Sequence, residues 1–489
     1  MPLVEFAGYA PDSDPTQKGV FVDCAAVVPS LKGFRAAPSA MDAGNSALAA
    51  ACKGAASLTK LDNSTRVFAG TTTSLYELSS TTWTERSVTT AGYSLGADNR
   101  WRMAQFGNVS LAVAKTDRLQ ASTSGNFLLA AAAAPKAAIV EVVNNFVIVF
   151  DTNETAYGDS PDRWWCCAIG DYTDWTVAVA TQCATGRLTS APGKTTAGKR
   201  FGDRVIAFKK KSMYVGTYVG QPNVFDFAQV PGSVGALCQE VVVSVGTPDD
   251  PKLIFMGADD FYSYDGSRPI PIGTNRVKEK VFGELNATYS EFCIAQHDEA
   301  KSLVRFFYPT AAAYTPDKCV VYNYRTDKWG RDDRTIEAAL NYIAPSLTYA
   351  GFGTSYATYG AAPSVPYGSS LFVSGIALPA IFDTSHKIAT LNGTPVSSSY
   401  TTGDIGDDNV ESLLSFVKPR FITAPASANQ TNYYRQNQGD ALSTDATIAL
   451  SNARFDVLRE ARWHRVLHSL NGDWEAPGVW FEVERAGVE

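Results

Sequence analysis

The sequence predicts an all-β protein built from a β-propeller-like repeat domain and an additional C-terminal β domain. Its 489 residues exceed what one hydrophobic core usually fills, so we expect several domains or one large repeat architecture. The 38 glycines and 24 prolines, together with Ser/Thr-rich stretches, indicate many short elements joined by turns. A β-hairpin pattern that recurs through the middle of the chain predicts the repeat itself.

The recurring unit is a strand-like apolar run, a polar turn, and then an apolar residue followed by tyrosine. β-Branched and aromatic residues on both sides of a polar turn are typical of a β-hairpin. The full pattern occurs in four segments, Val67–Tyr76, Val147–Tyr157, Val205–Tyr214 and Leu253–Tyr262. Partial copies, which lack part of the pattern, occur at Val109–Leu119, Leu303–Phe307 and Ser346–Tyr349.

The spacing of these units favours a propeller. They start at residues 67, 109, 147, 205, 253, 303 and 346, so the intervals run from 38 to 58 residues. Four-stranded propeller blades repeat at about 40–50 residues, and a radial array leaves few exposed strand edges. The alternative is an ordinary array of β-sandwiches in which the hairpin spacing is coincidental.

Composition divides the chain into three parts. Residues 1–60 form an Ala-rich, weakly patterned N-terminal segment, in which Ala43–Ala56 could be a short helix. Residues 61–375 hold the propeller-like repeat, and residues 376–489 are expected to form the C-terminal β domain. Strand-like runs in that domain are Leu413–Thr423, Ala446–Leu450, Trp463–Leu470 and Val479–Val483. Asn471-Gly472 is a strong tight-turn signal, which predicts a hairpin between the last two runs.

Charge and cysteine content argue against several classes of protein. With 42 basic and 49 acidic residues the formal net charge is −7, so the whole chain lacks a basic nucleic-acid footprint. Eight scattered cysteines are too few for a disulfide scaffold, and we expect them to be reduced, buried thiols. We also expect no secretory signal, because acidic residues and prolines interrupt Met1–Lys18 before any apolar run. We expect no membrane span, because no stretch reaches eighteen apolar residues.

A phosphate-binding loop is the first candidate site. Gly193–Lys199 has the glycine and lysine spacing of a P-loop, but Arg200 stands where the motif needs Ser or Thr to bind Mg²⁺. The next residues, Phe201–Phe208, have the pattern of a strand and not of the helix whose N-terminus would hold phosphate. A basic loop between blades is the preferred interpretation.

Metal sites have little support in the sequence. His464 and His468 would share one face of a helix, but their segment has the pattern of a strand, and the chain has no Cys-x-x-Cys pair. Asp404, Asp407 and Asp408 could bind Ca²⁺, but they lack the EF-hand spacing, and a solvated acidic loop is the preferred interpretation. We expect no metal and no cofactor.

The sequence shows no coherent catalytic constellation. Glycosidase chemistry needs two converging carboxylates, for which Asp259 with Asp260 and Asp332 with Asp333 are the candidates. Asp is favoured at turns in any case, because its side chain bonds to the backbone. We therefore expect no enzymatic activity and no catalytic residue.

Three consecutive lysines occupy the turn of one repeat. Lys209, Lys210 and Lys211 could form a solvated hairpin tip. The alternative is that they contact DNA phosphate or a neighbouring subunit.

Several segments resemble the tail hub or nozzle proteins of short-tailed bacteriophages, the class that includes tail tubular protein B and the packaged-DNA stabilisation proteins. Val205–Gly283 has the family's order of hairpins around a Val/Gly-rich segment. Trp164–Trp175 is similar to the family's aromatic-Ser-x-x-Gly-Asp-x-x-x-Trp segment, with Ala168 where serine is usual. Arg462–Val483 is similar to its closing hairpin. The likeness covers roughly residues 145–330 and 455–485.

The resemblance implies a structural protein of the virion tail, assembled in the bacterial host cytoplasm. Such proteins form a homo-oligomeric ring, commonly a hexamer, below the portal and head-to-tail adaptor proteins and next to tail fibre, spike or needle proteins. The ring retains packaged double-stranded DNA and conducts it during ejection without sequence specificity. Six copies at −7 would carry a formal −42, which suits a conduit that holds DNA weakly. Ring contacts are expected in loops at residues 384–412 and 425–445.

Two other functions stay open at this point. The aromatic and Asp content would suit a propeller glycoside hydrolase or depolymerase, which would release reducing ends from a host polysaccharide. A passive propeller that binds host glycans is the third hypothesis, and a glycan array distinguishes it from the other two.

Overall fold

The computed structural model describes residues 3–247, 249–311, 314–343, 358 and 377–485. Nearly every regular element in these ranges is a β-strand. The exceptions are one short helix, α1 (Lys278–Glu284), and 3₁₀ turns at Gln239–Val241 and Ala287–Phe292. The prediction of an all-β chain is therefore confirmed.

Six short strands precede the repeat. They are β1 (Val4–Glu5), β2 (Gly8–Tyr9), β3 (Val20–Ala25), β4 (Val27–Ser30), β5 (Gly33–Ala36) and β6 (Ser39–Asp42). Their aromatic residues are deeply buried, with Phe6, Phe21 and Phe34 at most 1% exposed. Such burial requires partners from later parts of the chain, and the sheets supply them.

Seven antiparallel blades follow within the described residues, and the first four are meanders of four strands each. Blade 1 contains β7 (Ala55–Thr59), β8 (Thr65–Gly70), β9 (Leu75–Ser79) and β10 (Thr82–Glu85). Blade 2 contains β11 (Arg102–Phe106), β12 (Val109–Ala114), β13 (Asp117–Ser122) and β14 (Leu128–Leu129). Blade 3 contains β15 (Lys136–Val143), β16 (Phe146–Glu154), β17 (Gly158–Cys166) and β18 (Ala184–Arg187). Blade 4 contains β19 (Thr195–Phe201), β20 (Arg204–Lys209), β21 (Ser212–Gly220) and β22 (Val224–Gln229).

The last three blades complete the repeat. Blade 5 contains β23 (Val242–Gly246), β24 (Pro251–Met256), β25 (Phe261–Tyr264) and β26 (Ile270–Pro271). Blade 6 contains β27 (Ile294–Asp298), β28 (Leu303–Tyr308), β29 (Lys318–Asn323) and β30 (Lys328–Arg331). Blade 7 contains β31 (Ala338–Tyr342), β32 (Leu378–Phe382) and β33 (Ile388–Gly393), and its fourth strand is β6 from the N-terminal segment.

The blades form a closed ring. The first strand of each blade packs beside the first strand of the next, and β31 of blade 7 packs beside β7 of blade 1. Strand β6 pairs with β33 through Met41 and Thr390, so residues near the N-terminus complete the last blade. This arrangement is a β-propeller, and it excludes the alternative of separate β-sandwiches.

The sequence repeat corresponds to the two central strands of each blade. Four of the seven segments, those that start at residues 67, 109, 205 and 253, cover the second strand and reach the third strand of blades 1, 2, 4 and 5. Val147–Tyr157 covers β16 and ends one residue before β17, and Leu303–Phe307 lies within β28 alone. The segment Ser346–Tyr349 lies outside the described residues, and the described central hairpin of blade 7 is β32–β33. Central strands carry the clearest pattern because both of their faces are covered by neighbouring blades, as in Val205–Phe208, whose residues are all 0% exposed.

The C-terminal strands form two further sheets with β1, β2 and β3. The strands are β34 (Ser397–Thr402), β35 (Ile405–Gly406), β36 (Ser412–Arg420), β37 (Ser427–Arg435), β38 (Ser443–Thr444), β39 (Ile448–Ala449), β40 (Phe455–Ala461), β41 (Trp463–Asn471), β42 (Glu475–Ala476) and β43 (Gly478–Arg485). One sheet has the order β1-β43-β36-β40, and the other runs β2-β3-β34-β41-β37-β38. Strands β4, β5 and β42 extend the sheet of blade 6, and one continuous core joins both regions.

These pairings cut across the three-part division expected from composition. Residues 1–60 are not a weakly patterned segment, because their strands complete sheets in the propeller and in the C-terminal region. Residues 378–393 belong to blade 7 rather than to a separate domain. The interface loops expected at 384–412 and 425–445 consist largely of strands β33–β35 and β37. The Ala-rich sequence of residues 1–60 has no clear strand pattern, because the partners of its strands lie hundreds of residues away.

Two local predictions are wrong. Ala43–Ala56 is not helical, because residues 43–54 contain no helical turn and Ala55 and Ala56 begin β7. Gly54, just before β7, has a φ of 138° and no room for a side chain against the Trp101 carbonyl. Strands β41 and β43 do not form a hairpin, because they lie in opposite sheets. The turn at Gly472 leads instead to β42, which pairs with β5 and buries Trp474 completely.

The eight cysteines are free and buried, as predicted. Burial raises the pKa of the Cys52 and Cys293 thiols to about 12. They therefore stay protonated and inert at neutral pH. The part of the chain that the structure describes holds no helix with the length and apolar character needed to span a membrane.

Acid sensitivity is expected of the C-terminal sheets. His468 on β41 is fully buried without a partner for either ring nitrogen, and burial lowers its pKa to about 3. An unfolded histidine titrates near about 6.5, so between these values the unfolded chain binds a proton that the folded chain does not. The free energy of unfolding should therefore fall as pH drops from about 6.5 towards about 3.

Urea unfolding across that pH range measures this fall. In His468→Leu the free energy of unfolding should depend less steeply on pH than in the natural chain. His464 is also buried with a lowered pKa and keeps part of the slope. An identical slope in both proteins would contradict a buried neutral imidazole at His468.

Candidate functional site

The innermost strands of the blades surround an axial cavity of about 280 Å³. Every blade contributes to its lining, and the charged residues there include Arg100, Arg102, Glu141, Lys199 and Glu240. A second cavity of about 240 Å³ adjoins the first and shares Arg100 and Arg102 with it. Ligands commonly bind in concave sites with a few convergent polar groups, so this channel is the candidate site.

A bidentate ion pair crosses the channel. Arg102 lies on β11 of blade 2, and its Nε and Nη2 donate to Glu240 of blade 5 at 2.9 and 3.1 Å. Its Nη1 also donates to the Ala138 carbonyl oxygen of blade 3 at 2.8 Å. Blades 2 and 5 are not neighbours in the ring, so this pair spans the axis. Burial alone would raise the pKa of Glu240, but the charges of Arg102 and Arg100 hold it below the usual range.

A second group of polar contacts closes the channel beside this pair. Gln239 exchanges two hydrogen bonds with the backbone of Gly198, at 2.7 and 2.8 Å. Glu141 accepts a bond from Lys199 at 3.4 Å and another from Gln239 at 3.4 Å. The axis is thus filled by side chains that link blades 3, 4 and 5. Duplex DNA, whose major groove alone is about 12 Å wide, cannot pass through a channel of this size.

Loss of the axial ion pair should loosen the propeller. Glu240→Gln leaves the partly buried Arg102 without its charge partner, and we expect the free energy of unfolding to fall by about 2–3 kcal/mol. Chemical unfolding monitored by tryptophan fluorescence measures this. Asp98→Asn, an exposed acid near the same channel, serves as the control and should change stability by less than about 0.5 kcal/mol. Equal stability of the two variants would contradict a structural role for the pair.

Arg100 is the exception among the cations of the channel. It is 8% exposed and forms no ion pair with any described residue. Its Nη1 lies 3.5 Å from the Glu337 carbonyl oxygen, beyond ordinary hydrogen-bond length, and its guanidinium lies over the Phe292 ring at 5.2 Å. Arg100 is therefore buried without an ion pair of its own, and the carboxylate on which its charge acts, Glu240, is bound by Arg102.

The three lysines at the turn do not form one exposed cluster, because one of them is buried. Lys209 is 1% exposed, and its Nζ donates to the carbonyl oxygens of Leu188 and Ala191 at 2.5 and 2.6 Å. It cannot contact DNA or another subunit, because these bonds hold its charge inside blade 4. Lys210 and Lys211 are exposed at the turn between β20 and β21. A contact with DNA or a subunit at these two residues stays a prediction.

The candidate catalytic acids are engaged in structural bonds. Asp260 is 2% exposed and accepts bonds from the Phe261 and Gly273 amides and the Thr274 hydroxyl. Asp332 pairs with Arg334, and Asp333 pairs with Arg331 and Lys318. Asp259 accepts from the Tyr262 hydroxyl at 2.8 Å. These contacts agree with the turn-forming interpretation.

The other sequence motifs also have structural positions. Thr195–Phe201 of the P-loop-like segment is the inner strand of blade 4, and a strand follows it. His464 and His468 lie on β41, about 13 Å apart at the usual rise per residue. Asp404 is not part of a solvated loop, because its carboxylate is 1% exposed and binds both Arg435 and Arg465. The described residues contain no group of three or more His, Cys, Asp or Glu side chains placed to hold a metal ion.

Sequence reasoning missed the axial residues. Arg100 and Arg102 flank Trp101, a core residue, and this short run is the one local signal. Nothing near it indicates Glu240, which is separated from Arg102 by 138 positions. The ring closure alone brings them together.

Comparison with known proteins adds little. No protein-family model matches the chain, and no curated protein matches it. Among solved structures it is similar to a protein from Bacteroides fragilis described as exported, with 11% identity and a TM-score of 0.28, covering 47% of this chain and 70% of that one. It is also similar to YCF48 from Cyanidioschyzon merolae, with 11% identity and a TM-score of 0.36, covering 61% and 90%. Both TM-scores are too low to carry an argument, and the propeller assignment rests on the sheet pairings.

Proposed function

We propose that the chain is a structural protein of a short-tailed bacteriophage virion, one subunit of the tail hub or nozzle ring below the portal and adaptor. In this role it retains packaged DNA and forms part of the wall of the passage used during ejection. The resemblance of Trp164–Trp175 and Val205–Gly283 to that family motivates the proposal.

The observation that supports it most is the obstructed axis of the propeller. Arg102 binds Glu240, and Gln239 contacts Glu141, so these side chains divide the axis into small cavities instead of leaving an open pore. A DNA passage would then have to lie between copies of the chain. The propeller would act as a rigid wall element in a ring closed by head-to-tail contacts.

An exposed apolar patch offers a surface for such contacts. The blade 3–4 patch consists of Ile169, Val177, Val179 and Val219, which are 44%, 51%, 56% and 52% exposed. The segments that carry these side chains are neighbours, because the Gln221 side chain donates to the Val179 carbonyl oxygen at 2.7 Å and the Ile169 amide donates to the Thr181 carbonyl oxygen at 3.1 Å. The patch includes part of the segment that resembles the tail proteins. Contiguous exposed apolar side chains are typical of protein interfaces.

Charge reversal of this patch tests the proposed ring contact. Val177→Asp/Val179→Asp should abolish assembly of the full chain into rings while leaving its thermal unfolding nearly unchanged, because both side chains are half-exposed. Val88→Asp, at 43% exposure on blade 1, serves as the matched control and should assemble normally.

Sedimentation velocity, with and without the portal–adaptor complex of the source phage, gives the result. A natural chain that stays monomeric in both conditions would overturn the proposed function. Rings formed equally well by the double variant would instead place the contact elsewhere on the chain.

A further inference from the structure

We infer that the end of the axial channel where the inner strands begin is a binding site for a small oxyanion, a phosphate or a carboxylate. The inference does not depend on the proposed tail function. It rests on the cavity and on two buried groups that line it, a guanidinium without an ion pair and a hydroxyl without a hydrogen-bond partner.

The first group is the guanidinium of Arg100. The other cations of the 240 Å³ cavity each have a carboxylate: Arg102 has Glu240, Lys115 has Asp151 at 2.7 Å, and Lys194 has Glu291 at 2.6 Å. Arg100 alone among them has no ion pair within the described residues, although it is 8% exposed. The carboxylate on which its charge acts, Glu240, is already bound by Arg102. A buried charge is costly unless it is paired and hydrogen-bonded, and an anion in the cavity would supply such a pair.

The second group is the hydroxyl of Thr195, on the inner strand of blade 4. Thr195 is 1% exposed and lines the same cavity, and its Oγ1 has no hydrogen-bond partner. A buried hydroxyl normally finds a partner. The Thr195 hydroxyl can donate a hydrogen bond to an oxyanion that Arg100 binds. One ligand would then bond to both groups.

The chemistry of the pair indicates the ligand class. The planar guanidinium of arginine matches the two oxygens of a carboxylate or phosphate and binds them through paired hydrogen bonds. A cavity of 240 Å³ equals the liquid volume of about eight waters. It therefore holds a small oxyanion with part of its hydration shell, and not a polymer.

Thermal unfolding and calorimetry of the full chain test the inference. Sodium phosphate, sodium acetate and sodium chloride are titrated separately at matched ionic strength. Phosphate or acetate should raise the Tm saturably, and chloride should not. A larger increase with phosphate identifies phosphate as the preferred group, and a larger increase with acetate identifies the carboxylate. Equal shifts with all three salts would overturn the site.

Variants separate binding from folding. Arg100→Gln removes the paired donors of the guanidinium and should weaken oxyanion binding about ten-fold or more. Arg200→Gln removes an exposed arginine from the same blade as Thr195 and should behave as the natural chain. If Arg100→Gln does not fold, Thr195→Val keeps the shape of the side chain and should still weaken binding. Natural affinity in Thr195→Val, or in a folded Arg100→Gln, would overturn the inference.

Discussion

Replacement of Phe21 by alanine is expected to lower the free energy of unfolding by about 3–5 kcal/mol. Phe21 lies on β3 and is 0% exposed. The centroid of its ring lies 4.8 Å, 5.0 Å and 4.8 Å from the ring centroids of Phe6, Phe34 and Tyr400. The substitution removes the centre of an aromatic cluster that joins the N-terminal strands to the C-terminal sheets, so it leaves a cavity that rigid β-sheets cannot fill.

Urea unfolding of the full chain measures this effect, with Leu31→Ala as the control. Leu31 belongs to the same N-terminal region but is 66% exposed, so its loss should cost less than about 0.5 kcal/mol. Similar stability of the Phe21 and Leu31 variants would mean that the N-terminal strands are not part of the C-terminal core.

Asp404→Ala should have a comparably large effect on the C-terminal sheets, about 3–5 kcal/mol. The Asp404 carboxylate is 1% exposed and accepts from Arg435 at 2.5 Å and from Arg465 at 2.8 Å. Those guanidiniums are only 13% and 19% exposed, so the substitution leaves two largely buried positive charges without a partner. The expected loss of unfolding free energy is large because two buried charges lose their partner, and not because one hydrogen bond is lost.

The neighbouring Asp407 provides the control. It is exposed, and its carboxylate accepts a bond only from the Asn409 amide within the described residues. Asp407→Ala should change the midpoint of thermal unfolding little, whereas Asp404→Ala should lower it by several degrees or more. Equal midpoints would contradict the charge cluster at Asp404.

The parts of the fold that sequence predicts are those set by local pattern. In blades 1, 2, 4 and 5 the central hairpin places two apolar runs and a polar turn within about ten residues, so the amino-acid sequence alone predicts both central strands there. In blades 3 and 6 it predicts the second strand. The strand pattern of Trp463–Leu470 is recognisable in the same way and is confirmed as β41. Local pattern therefore predicts elements but not the way they are joined.

The missed features all depend on distant pairing. Strand β6 completes blade 7 through Met41 and Thr390, and no local signal in the Ala-rich segment indicates that partner. Asn471-Gly472 is a true turn, but the chain then crosses to the other sheet because β42 pairs with β5. The run of three lysines predicts that Lys209 lies at an exposed hairpin tip. The residue is buried instead, because its Nζ donates to two carbonyl oxygens of a preceding segment. In each case the residue type is compatible with two environments, and the tertiary contact decides between them.

Cryo-electron microscopy of the purified full chain, alone and mixed with the portal–adaptor complex of the proposed source phage, tests the central claim most directly. We expect a ring with a wide lumen between subunits, with the axis of every propeller still filled by Arg102 and Glu240. Particles that remain single propellers under both conditions, or a ring in which DNA-sized density enters a propeller axis, would contradict it.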